Sequence, residues 1–247
     1  MIEHAVATRE NAPREPLPFV SIVLPVYVQA DHIAQAIEDF ETALRTLSIR
    51  YEIILVVNGS ADASLDRCQA IAAANASVRV LHTPLKGWGR AVRLGLEQSR
   101  GDILCYTNSA RTTGRELALV LLHAVLDRHV VVKATRKIRE SASRRIGSLL
   151  YNLECRALFD LAGWDINGTP KAFGRRFTRL LELTRTDDLI DLEFAVICRE
   201  EGYPVMEAPT FSSLRRGGRS TTTLGTAWRL YWGAFDFWRT RSRRSPR

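Results

Sequence analysis

The sequence has few cysteines and no long hydrophobic run. Its four cysteines lie far apart and include no Cys-x-x-Cys pair, so we expect neither a disulfide framework nor a zinc site, and a reducing cytosol is the favoured compartment. No uninterrupted apolar run approaches the ~20 residues that span a bilayer, and the N-terminus has no secretory hydrophobic segment. These absences predict a cytoplasmic protein that is soluble or bound peripherally to a membrane.

Positive charge is concentrated at the C-terminus. The formal net charge is +8, and five arginines lie in residues 239–247. A basic tail of this kind indicates an anionic partner, either a membrane surface or a nucleic acid, or else a solvated disordered segment. Because only the tail suggests it, a nucleic-acid partner is not expected.

Apolar periodicity predicts an α/β fold. Nearly all-apolar runs, typical of buried parallel strands, alternate with segments of helical spacing, which is the pattern of a Rossmann-like, mainly parallel sheet flanked by helices. We expect a disordered leader over 1–18, one domain over 19–222, and an amphipathic aromatic helix with its basic tail over 223–247. The predicted strands are 20–27, 51–57, 78–82, 101–106, 130–135 and 205–211, and the predicted helices are 31–47, 62–74, 87–99, 117–126, 148–161 and 187–201.

Small and polar residues are frequent at the ends of three predicted strands, at 25–27, 58–60 and 107–110. Ligands of open α/β sheets bind outside the carboxyl ends of the strands. We therefore expect these three segments to converge on one site, although turns of this composition also serve simply to connect elements.

Short motifs in a fixed order are more specific. The strand 21–27, the strand and turn 51–62, and the segments 86–96 and 100–102 resemble the first half of family 2 glycosyltransferases. Each motif is weak alone, but their order and spacing together are not.

Further along the chain the resemblance narrows to the dolichol- or polyprenol-phosphate sugar synthases. The segments 165–173, 191–193 and 207–220 resemble their Asp-containing loop, the following helix, and the last strand with its basic loop. The resemblance implies the GT-A (nucleotide-diphospho-sugar transferase) fold. It also implies inverting transfer of a sugar from a nucleotide-sugar donor to an acceptor such as a polyprenyl or other lipid phosphate.

The chain departs from that family where a metal is usually held. In the family, two acids one residue apart at the end of the fourth strand hold Mg²⁺ or Mn²⁺ against the donor diphosphate, and the matching positions here are Asn108, Ser109 and Ala110. Because these divalent ions prefer carboxylate oxygens, an all-protein site is not expected here. The acids usual in the second turn and first loop are also missing, at 57–58 and 28–29.

Two hypotheses follow. In the first, the enzyme works without a metal and protein cations neutralise the diphosphate. In the second, the chain is catalytically degenerate and binds a nucleotide sugar or a partner. The first assigns catalytic roles to Asp191, Arg136, Lys171 and Arg215, and substrate-binding roles to Pro25, Tyr27, Asn58, Ser60, Lys86, Asn108, Ser109, Arg111, Arg144 and Ser220, with Arg145 and Arg216 as alternatives to their neighbours.

Acids near the start of the helix predicted at 187–201 have two interpretations. Asp191 and Glu193 are candidates for acceptor contact or for a general base, whereas Asp187 and Asp188 are favoured as helix caps, since acids stabilise the first turn of a helix. A lipid-phosphate acceptor is already ionised and needs no strong base.

An apolar stripe precedes the basic tail. Its residues repeat at spacings of four and three, as on one face of a helix. With the adjacent arginines, this pattern fits a helix on an anionic membrane surface or against a membrane partner, but packing on the domain or a homodimer remains an alternative. The stripe consists of Leu224, Trp228, Tyr231, Phe235 and Trp238.

Overall fold

The computed structural model describes residues 17–137, 142–211, 215–217 and 224–242. Most of the predicted leader, 1–16, lies outside these ranges. The described residues form a mixed sheet flanked by helices, which confirms the α/β class and the mainly parallel sheet. The strands are β1 (Phe19–Val26), β2 (Arg50–Asn58), β3 (Val78–Thr83), β4 (Ile103–Tyr106), β5 (Val131–Arg136), β6 (Lys171–Gly174) and β7 (Val205–Thr210).

The α-helices alternate with the strands along the described part of the chain. The described helices are α1 (Ile33–Leu44), α2 (Ser64–Ala74), α3 (Trp88–Glu97), α4 (Gly114–Leu126), α5 (Ala142–Phe159), α6 (Ile190–Glu200) and α7 (Leu224–Ser242).

The strand order is β3-β2-β1-β4-β6-β5-β7. Strand β1 pairs in parallel with β2 and β4, and β2 pairs in parallel with β3. The carboxyl ends of β1, β2 and β4 therefore meet at one edge of the sheet. Strands β5 and β7 are also parallel, but β6 lies between β4 and β5 and is antiparallel to both.

The sheet has a hydrophobic core on each face. Alternate residues of β1 supply the two cores: Ile22 and Leu24 belong to one, and Val23 belongs to the other. Helices α1, α2 and α4 cover the first face, and α3 and α6 cover the second. Because both faces are covered, the central strands are apolar at almost every position, which explains their continuous hydrophobic runs.

A third apolar cluster joins the last helix to the domain. It contains Tyr151 of α5, Leu192 of α6 and Ala234 of α7. The ring of Tyr231 meets that of Tyr151 edge-on with centroids 5.9 Å apart. The inner face of α7 thus packs on the domain.

The sequence analysis did not predict β6, whose residues it placed in a loop. This strand has only four residues, and all four are buried. An apolar pair, Ala172 and Phe173, is too short to show a period that distinguishes a strand from a loop. Its antiparallel direction is a tertiary property that local sequence does not encode.

Two further observations bear on the chain's environment. No helix within the described ranges is both long enough and apolar enough to cross a membrane. The four cysteines are free and buried, and burial raises the pKa of Cys68, Cys155 and Cys198 to about 12, so these thiols are protonated at neutral pH.

Packing of α3 on β1 depends on Gly95. A Cβ at this position would lie 2.2 Å from Val23 Cγ1. We expect Gly95→Ala to lower the free energy of unfolding by about 1–2 kcal/mol, because overpacking of a core outweighs the gain in helix propensity. Urea unfolding would measure this change.

Gly147 of α5 provides the matched control, because a Cβ there would meet nothing within 4 Å. Gly147→Ala should leave the stability unchanged or raise it by up to about 1 kcal/mol. Equal midpoints for Gly95→Ala and the unmodified protein would contradict the proposed role of Gly95.

Candidate active site

The carboxyl ends of β1 and β2 are joined by the buried side chain of Asn58. Its Nδ2 donates to the carbonyl of Val26 at 2.9 Å, and its Oδ1 accepts from the amide of Gly87 at 3.1 Å. An amide can donate and accept at once, whereas a carboxylate only accepts. Asn58 therefore fixes the two strand ends and the start of α3, and its side chain is committed to the protein.

The loop after β1 is held against the loop after β2 by further side chains. The amide of Val28 donates to Ser60 Oγ at 3.1 Å, and the amide of Gln29 donates to Ser64 Oγ at 2.8 Å. Val28 has a positive φ of 50°, an unusual conformation for a β-branched residue. We call the loops 27–30, 58–62 and 107–112 together the strand-end site.

The loop after β4 completes this site. Ser109 Oγ donates to Gln29 Oε1, so this loop contacts the loop after β1. The side-chain oxygen of Asn108 accepts from the amide of Ala110 at 2.9 Å. The three strand ends therefore come together, as the sequence analysis expects, through amide and hydroxyl groups.

Arg216 contacts the loop after β4 through both its backbone and its side chain. Its amide donates to the carbonyl of Ala110 at 2.8 Å, and its guanidinium donates to the carbonyl of Ser109 at 2.8 Å and to that of Thr112. The same guanidinium forms an ion pair with Asp39 of α1. These hydrogen bonds and the ion pair hold the segment 215–217 against the loop after β4.

The loop after β4 lacks the carboxylates that a divalent metal prefers. Ala110 has no side-chain ligand atom, and the side-chain oxygens of Asn108 and Ser109 already take part in hydrogen bonds. A guanidinium also contacts the backbone of this loop and would repel a cation. No group of three or more His, Cys, Asp or Glu side chains that could hold a metal ion occurs among the residues described.

Further predicted site residues lie on or beside these loops. Lys86 is exposed, and its Nζ lies 4.2 Å from the ring centroid of Tyr27, a cation–π contact. Arg111 is half-buried in the β4 loop, and Arg215 donates from Nε to the carbonyl of Gly217 at 2.7 Å. Pro25, by contrast, is buried within β1.

The N-terminus of α3 is occupied by the chain itself. The amides of Gly89 and Arg90 donate to the carbonyls of Asp187 and Thr186 at 3.2 and 3.0 Å. A Cβ at Gly87, whose φ is +156°, would lie 2.4 Å from the carbonyl oxygen of Thr186. The Gly-Trp-Gly sequence therefore serves close packing of the loop before α6, and these amides are unavailable to a phosphate.

A buried ion pair joins β6 to α6. Lys171 Nζ forms an ion pair with Asp191 Oδ1 and also donates to the carbonyl of Ile166 at 3.0 Å. The hydroxyl of Tyr106 donates to Asp191 Oδ1 at 2.9 Å, and Trp88 Nε1 donates to Asp191 Oδ2 at 3.1 Å. Lys171 is fully buried and Asp191 is 4% exposed, so the pair is largely removed from water.

Burial changes the acid–base properties around this pair. Desolvation lowers the pKa of Lys171, and the negative charge of Asp191 offsets this only in part. Desolvation, followed by the charge of Asp191, raises the pKa of Tyr106 well above its ordinary value. Tyr106 is therefore a firm hydrogen-bond donor at neutral pH. Lys171 holds Asp191 in place.

Arg136 and Asp165 form a second clamp. Arg136 Nε and Nη2 donate to the two carboxylate oxygens of Asp165 at 2.8 and 2.7 Å, and the amide of Arg136 donates to the same carboxylate at 2.9 Å. Burial acts to lower the pKa of Arg136, but the hydrogen bonds and charge of Asp165 outweigh it, so the pKa is raised. Arg136 therefore orients the loop before β6.

The acids near the start of α6 have distinct roles. Glu193 is buried, and its carboxylate accepts from the amides of Thr184 and Arg185 at 2.8–3.0 Å, so it holds the preceding loop. Asp187 Oδ1 accepts from the amide of Leu189 at 3.1 Å, but the N-cap of α6 is Leu189 and has no side-chain cap, so the expected helix-cap role of Asp187 is not observed. Asp188 is exposed.

Two predicted residues cannot be located. Ser220 lies outside the described residues, and Arg144 is in α5 but its side chain is not described. Sequence reasoning missed the contributions of Trp88 and Tyr106. Trp88 lies between two glycines, and Tyr106 is the last residue of a buried strand. Both positions indicate close packing beside the predicted site.

The sequence matches a family model. Residues 21–177 match the model described as "Glycosyl transferase family 2". This span includes all of the strand-end site, and also Arg136, Asp165 and Lys171.

The chain is also similar to enzymes from Pseudomonas species. The chain is 32% identical over 163 residues to undecaprenyl-phosphate 4-deoxy-4-formamido-L-arabinose transferase of Pseudomonas fluorescens Pf-5, a match that covers 65% of this chain and 48% of the relative. The enzyme of the same name from Pseudomonas aeruginosa PAO1 is 29% identical with the same coverage. The chain thus spans about half the length of the relatives it matches.

Solved structures share the fold. Glucosyl-3-phosphoglycerate synthase from Mycobacterium tuberculosis, in complex with Mn²⁺, UDP and glucosyl-3-phosphoglycerate, superimposes with a TM-score of 0.70 at 18% identity, covering 90% of this chain and 80% of that one. A mycobacterial protein superimposes with a TM-score of 0.68 at 20% identity, covering 90% and 74%.

The Asp191→Asn substitution tests the buried pair. Without the carboxylate charge, the pKa of Lys171 should fall further below its ordinary value of 10.5. Removing one partner of a buried pair should lower the free energy of unfolding by about 3–5 kcal/mol at neutral pH. Between the folded and unfolded pKa values of Lys171 the unfolded state binds more protons, so part of this loss should be recovered as the pH rises through that interval.

Urea unfolding at several pH values would measure this. Asp236→Asn is the control, because Asp236 pairs with Arg239 at the exposed surface of α7 and its loss should cost less than about 1 kcal/mol. An Asp191→Asn protein as stable as this control, or one whose stability does not rise with pH more than that of the unmodified protein, would contradict the prediction.

Proposed function

Because this chain belongs to glycosyltransferase family 2, we propose that it transfers a sugar from a nucleotide-sugar donor to a polyprenyl phosphate. The observation that carries the proposal is the convergence of the three strand ends on one site, at the edge of the sheet where α/β folds bind ligands. The names of the bacterial relatives support an undecaprenyl phosphate or a similar lipid as the acceptor.

The donor is assigned to the strand-end site. Tyr27 offers an aromatic ring and Lys86 an exposed ammonium at the outer edge of this site. Lys86, Arg111 and Arg215 are the cations assigned to the diphosphate. Asn58 and Ser60 act indirectly, because their side chains hold the loops that would surround the donor.

The reaction is an inverting displacement. A phosphate oxygen of the acceptor forms a bond to the anomeric carbon with its own electron pair. The bond from that carbon to the donor diphosphate breaks, and its electron pair leaves with the nucleoside diphosphate. Negative charge grows on the leaving group, so fixed cations and hydrogen-bond donors at the strand-end site lower the barrier.

The hydrogen bonds that the Asp191 carboxylate already accepts support an acceptor substrate that is already ionised. This carboxylate accepts from Lys171, Tyr106 and Trp88, which leaves it poorly suited to remove a proton. A phosphate acceptor needs no such step. Asp191 and Lys171 are therefore proposed as positioning residues, and Arg136 positions Asp165 in the same region.

The transfer is proposed to proceed without a divalent metal. The proposal rests on the Asn108–Ser109–Ala110 loop, which lacks carboxylates, and on the guanidinium of Arg216 bonded to it. We also propose that the protein acts at the cytosolic face of a membrane, where both a nucleotide sugar and a lipid phosphate are accessible. Its free, buried cysteines are compatible with a reducing compartment.

Chelation tests metal independence. Transfer from UDP-glucose, GDP-mannose and other nucleotide sugars to undecaprenyl phosphate would be followed with and without EDTA. We expect the rate with the accepted donor to change by less than about twofold, because no Lewis acid is required. Loss of activity in EDTA and its return with Mg²⁺ or Mn²⁺ would contradict the metal-free proposal but would leave glycosyl transfer intact.

Donor binding tests the assignment of Lys86. Lys86→Met should weaken calorimetrically measured binding of the accepted donor by about tenfold, because one charge-assisted phosphate contact is lost. Arg67→Met, at an exposed position of α2, is the control and should bind as the unmodified protein does. Equal affinities for both variants would argue against the donor's position.

The same titrations separate an enzyme from a degenerate binding module. Tight donor binding without transfer to any acceptor tested would favour the module and would contradict the proposed activity.

A further inference from the structure

Helix α5 exposes a stripe of aliphatic side chains that the sequence analysis did not single out. Ile146, Leu149, Leu150 and Leu153 are 58%, 46%, 52% and 46% exposed. Their spacing of three and four places them on one face of the helix. The opposite face, with Tyr151 and Cys155, is buried in the domain. Four large apolar side chains on one exposed helix face form a patch of the kind that marks an interaction site.

Helix α7 exposes a second stripe, which is aromatic. Trp228, Trp232 and Phe235 are 65%, 57% and 40% exposed, and their rings contact one another with centroids 5.8 and 6.3 Å apart. The predicted stripe of α7 therefore divides: Tyr231 packs on α5, whereas Trp228 and Phe235 are exposed. The side chain of Leu224 is not described.

The two stripes border the contact between the helices. The hydroxyl of Tyr231 donates to the carbonyl of Gly147 at 2.7 Å, which fixes where α5 and α7 meet. Leu150 lies three residues from Gly147, and Trp228 and Phe235 lie three and four residues from Tyr231, so each stripe flanks the contact. Together they form one surface, which we call the α5–α7 surface.

We propose that the α5–α7 surface docks the protein on the interface of an anionic membrane. Tryptophan favours the boundary between lipid and water, and leucine and isoleucine bury readily in acyl chains. Each helix has three arginines and one acid, and further arginines follow α7. Such a combination of apolar face and positive charge is attracted to anionic head groups.

Charge also argues against a second copy as the occupant. A symmetric dimer through this surface would place the same patch of each copy face to face. Both helices carry a net positive charge in each copy, and like charges at an interface are unfavourable. A membrane bearing negative charge has the opposite relation to the same arginines.

The buried sides of α5 and α7 contact segments next to Asp165 and Asp191. Asn152 Oδ1 of α5 accepts from the amide of Ile166, next to Asp165. A Cβ at Gly233 of α7 would lie 2.6 Å from Leu189 Cδ1, two residues before Asp191. The inference itself stands on the exposed residues and does not require that the acceptor be a lipid.

Co-sedimentation of the full chain with vesicles tests the proposal. Vesicles of phosphatidylcholine with about 30% phosphatidylglycerol are compared with pure phosphatidylcholine, without donor or acceptor. We expect binding to the anionic vesicles that weakens as salt is raised. The double variants Leu149→Gln/Leu153→Gln on α5 and Trp228→Ser/Trp232→Ser on α7 should each lower the partition coefficient by about tenfold.

The matched control is Leu122→Gln/Leu126→Gln on α4, where two leucines are 41% and 73% exposed away from this surface. It should bind as the unmodified protein does. Thermal unfolding of all variants checks that the exposed substitutions leave the fold intact.

Three outcomes would overturn the proposal. The first is failure of the unmodified chain to bind anionic vesicles. The second is normal binding by either double variant while a chain ending at Ser242 does not bind, which would assign binding to residues 243–247 alone. The third is a dimer in sedimentation equilibrium that both double variants dissociate, which would assign the surface to a second copy. None of these outcomes bears on glycosyl transfer, which is measured separately.

Discussion

The interaction on which the arrangement depends is the buried pair of Lys171 and Asp191. Two charges removed from water are costly unless their remaining hydrogen-bonding capacity is filled. Here the carbonyl of Ile166 serves the ammonium, and Tyr106 and Trp88 serve the carboxylate. These partners lie on or beside β4, β6, α3 and α6. One polar cluster thus ties the first half of the sheet to the antiparallel strand and the helix of the second half.

The loop after β4 in the strand-end site, 107–112, has no carboxylate side chain. A loop with two acids in sequence needs a cation to hold them, whereas this loop is held by hydrogen bonds. Ser109 donates to Gln29, Asn108 accepts from the backbone, and Arg216 donates to the carbonyls of Ser109 and Thr112. One guanidinium that holds the loop therefore comes from a segment more than a hundred residues further along the chain.

Features set by local sequence could be predicted, whereas features set by contacts between residues distant in the chain could not. Parallel strands such as β1 and β2 are recognisable because burial on both faces makes them continuously apolar. Strand β6 was missed because its four residues acquire their pairing only from the tertiary fold. Asn58 was expected to bind substrate, but its side chain is turned inward by hydrogen bonds to Val26 and Gly87, which local sequence does not encode. Lys171 was expected to face the ligand, yet its burial follows from contacts with α6.

The position of Arg216 has a consequence for protein engineering. Grafting two aspartates at Asn108 and Ala110 would reproduce the spacing of an acid-x-acid motif. Position 110 is buried, however, and the backbone amide of Arg216 already bonds its carbonyl. The introduced carboxylates would form an ion pair with the guanidinium of Arg216 rather than bind a dissolved cation. A transplanted motif would need Arg216 and its partner Asp39 to be redesigned with it.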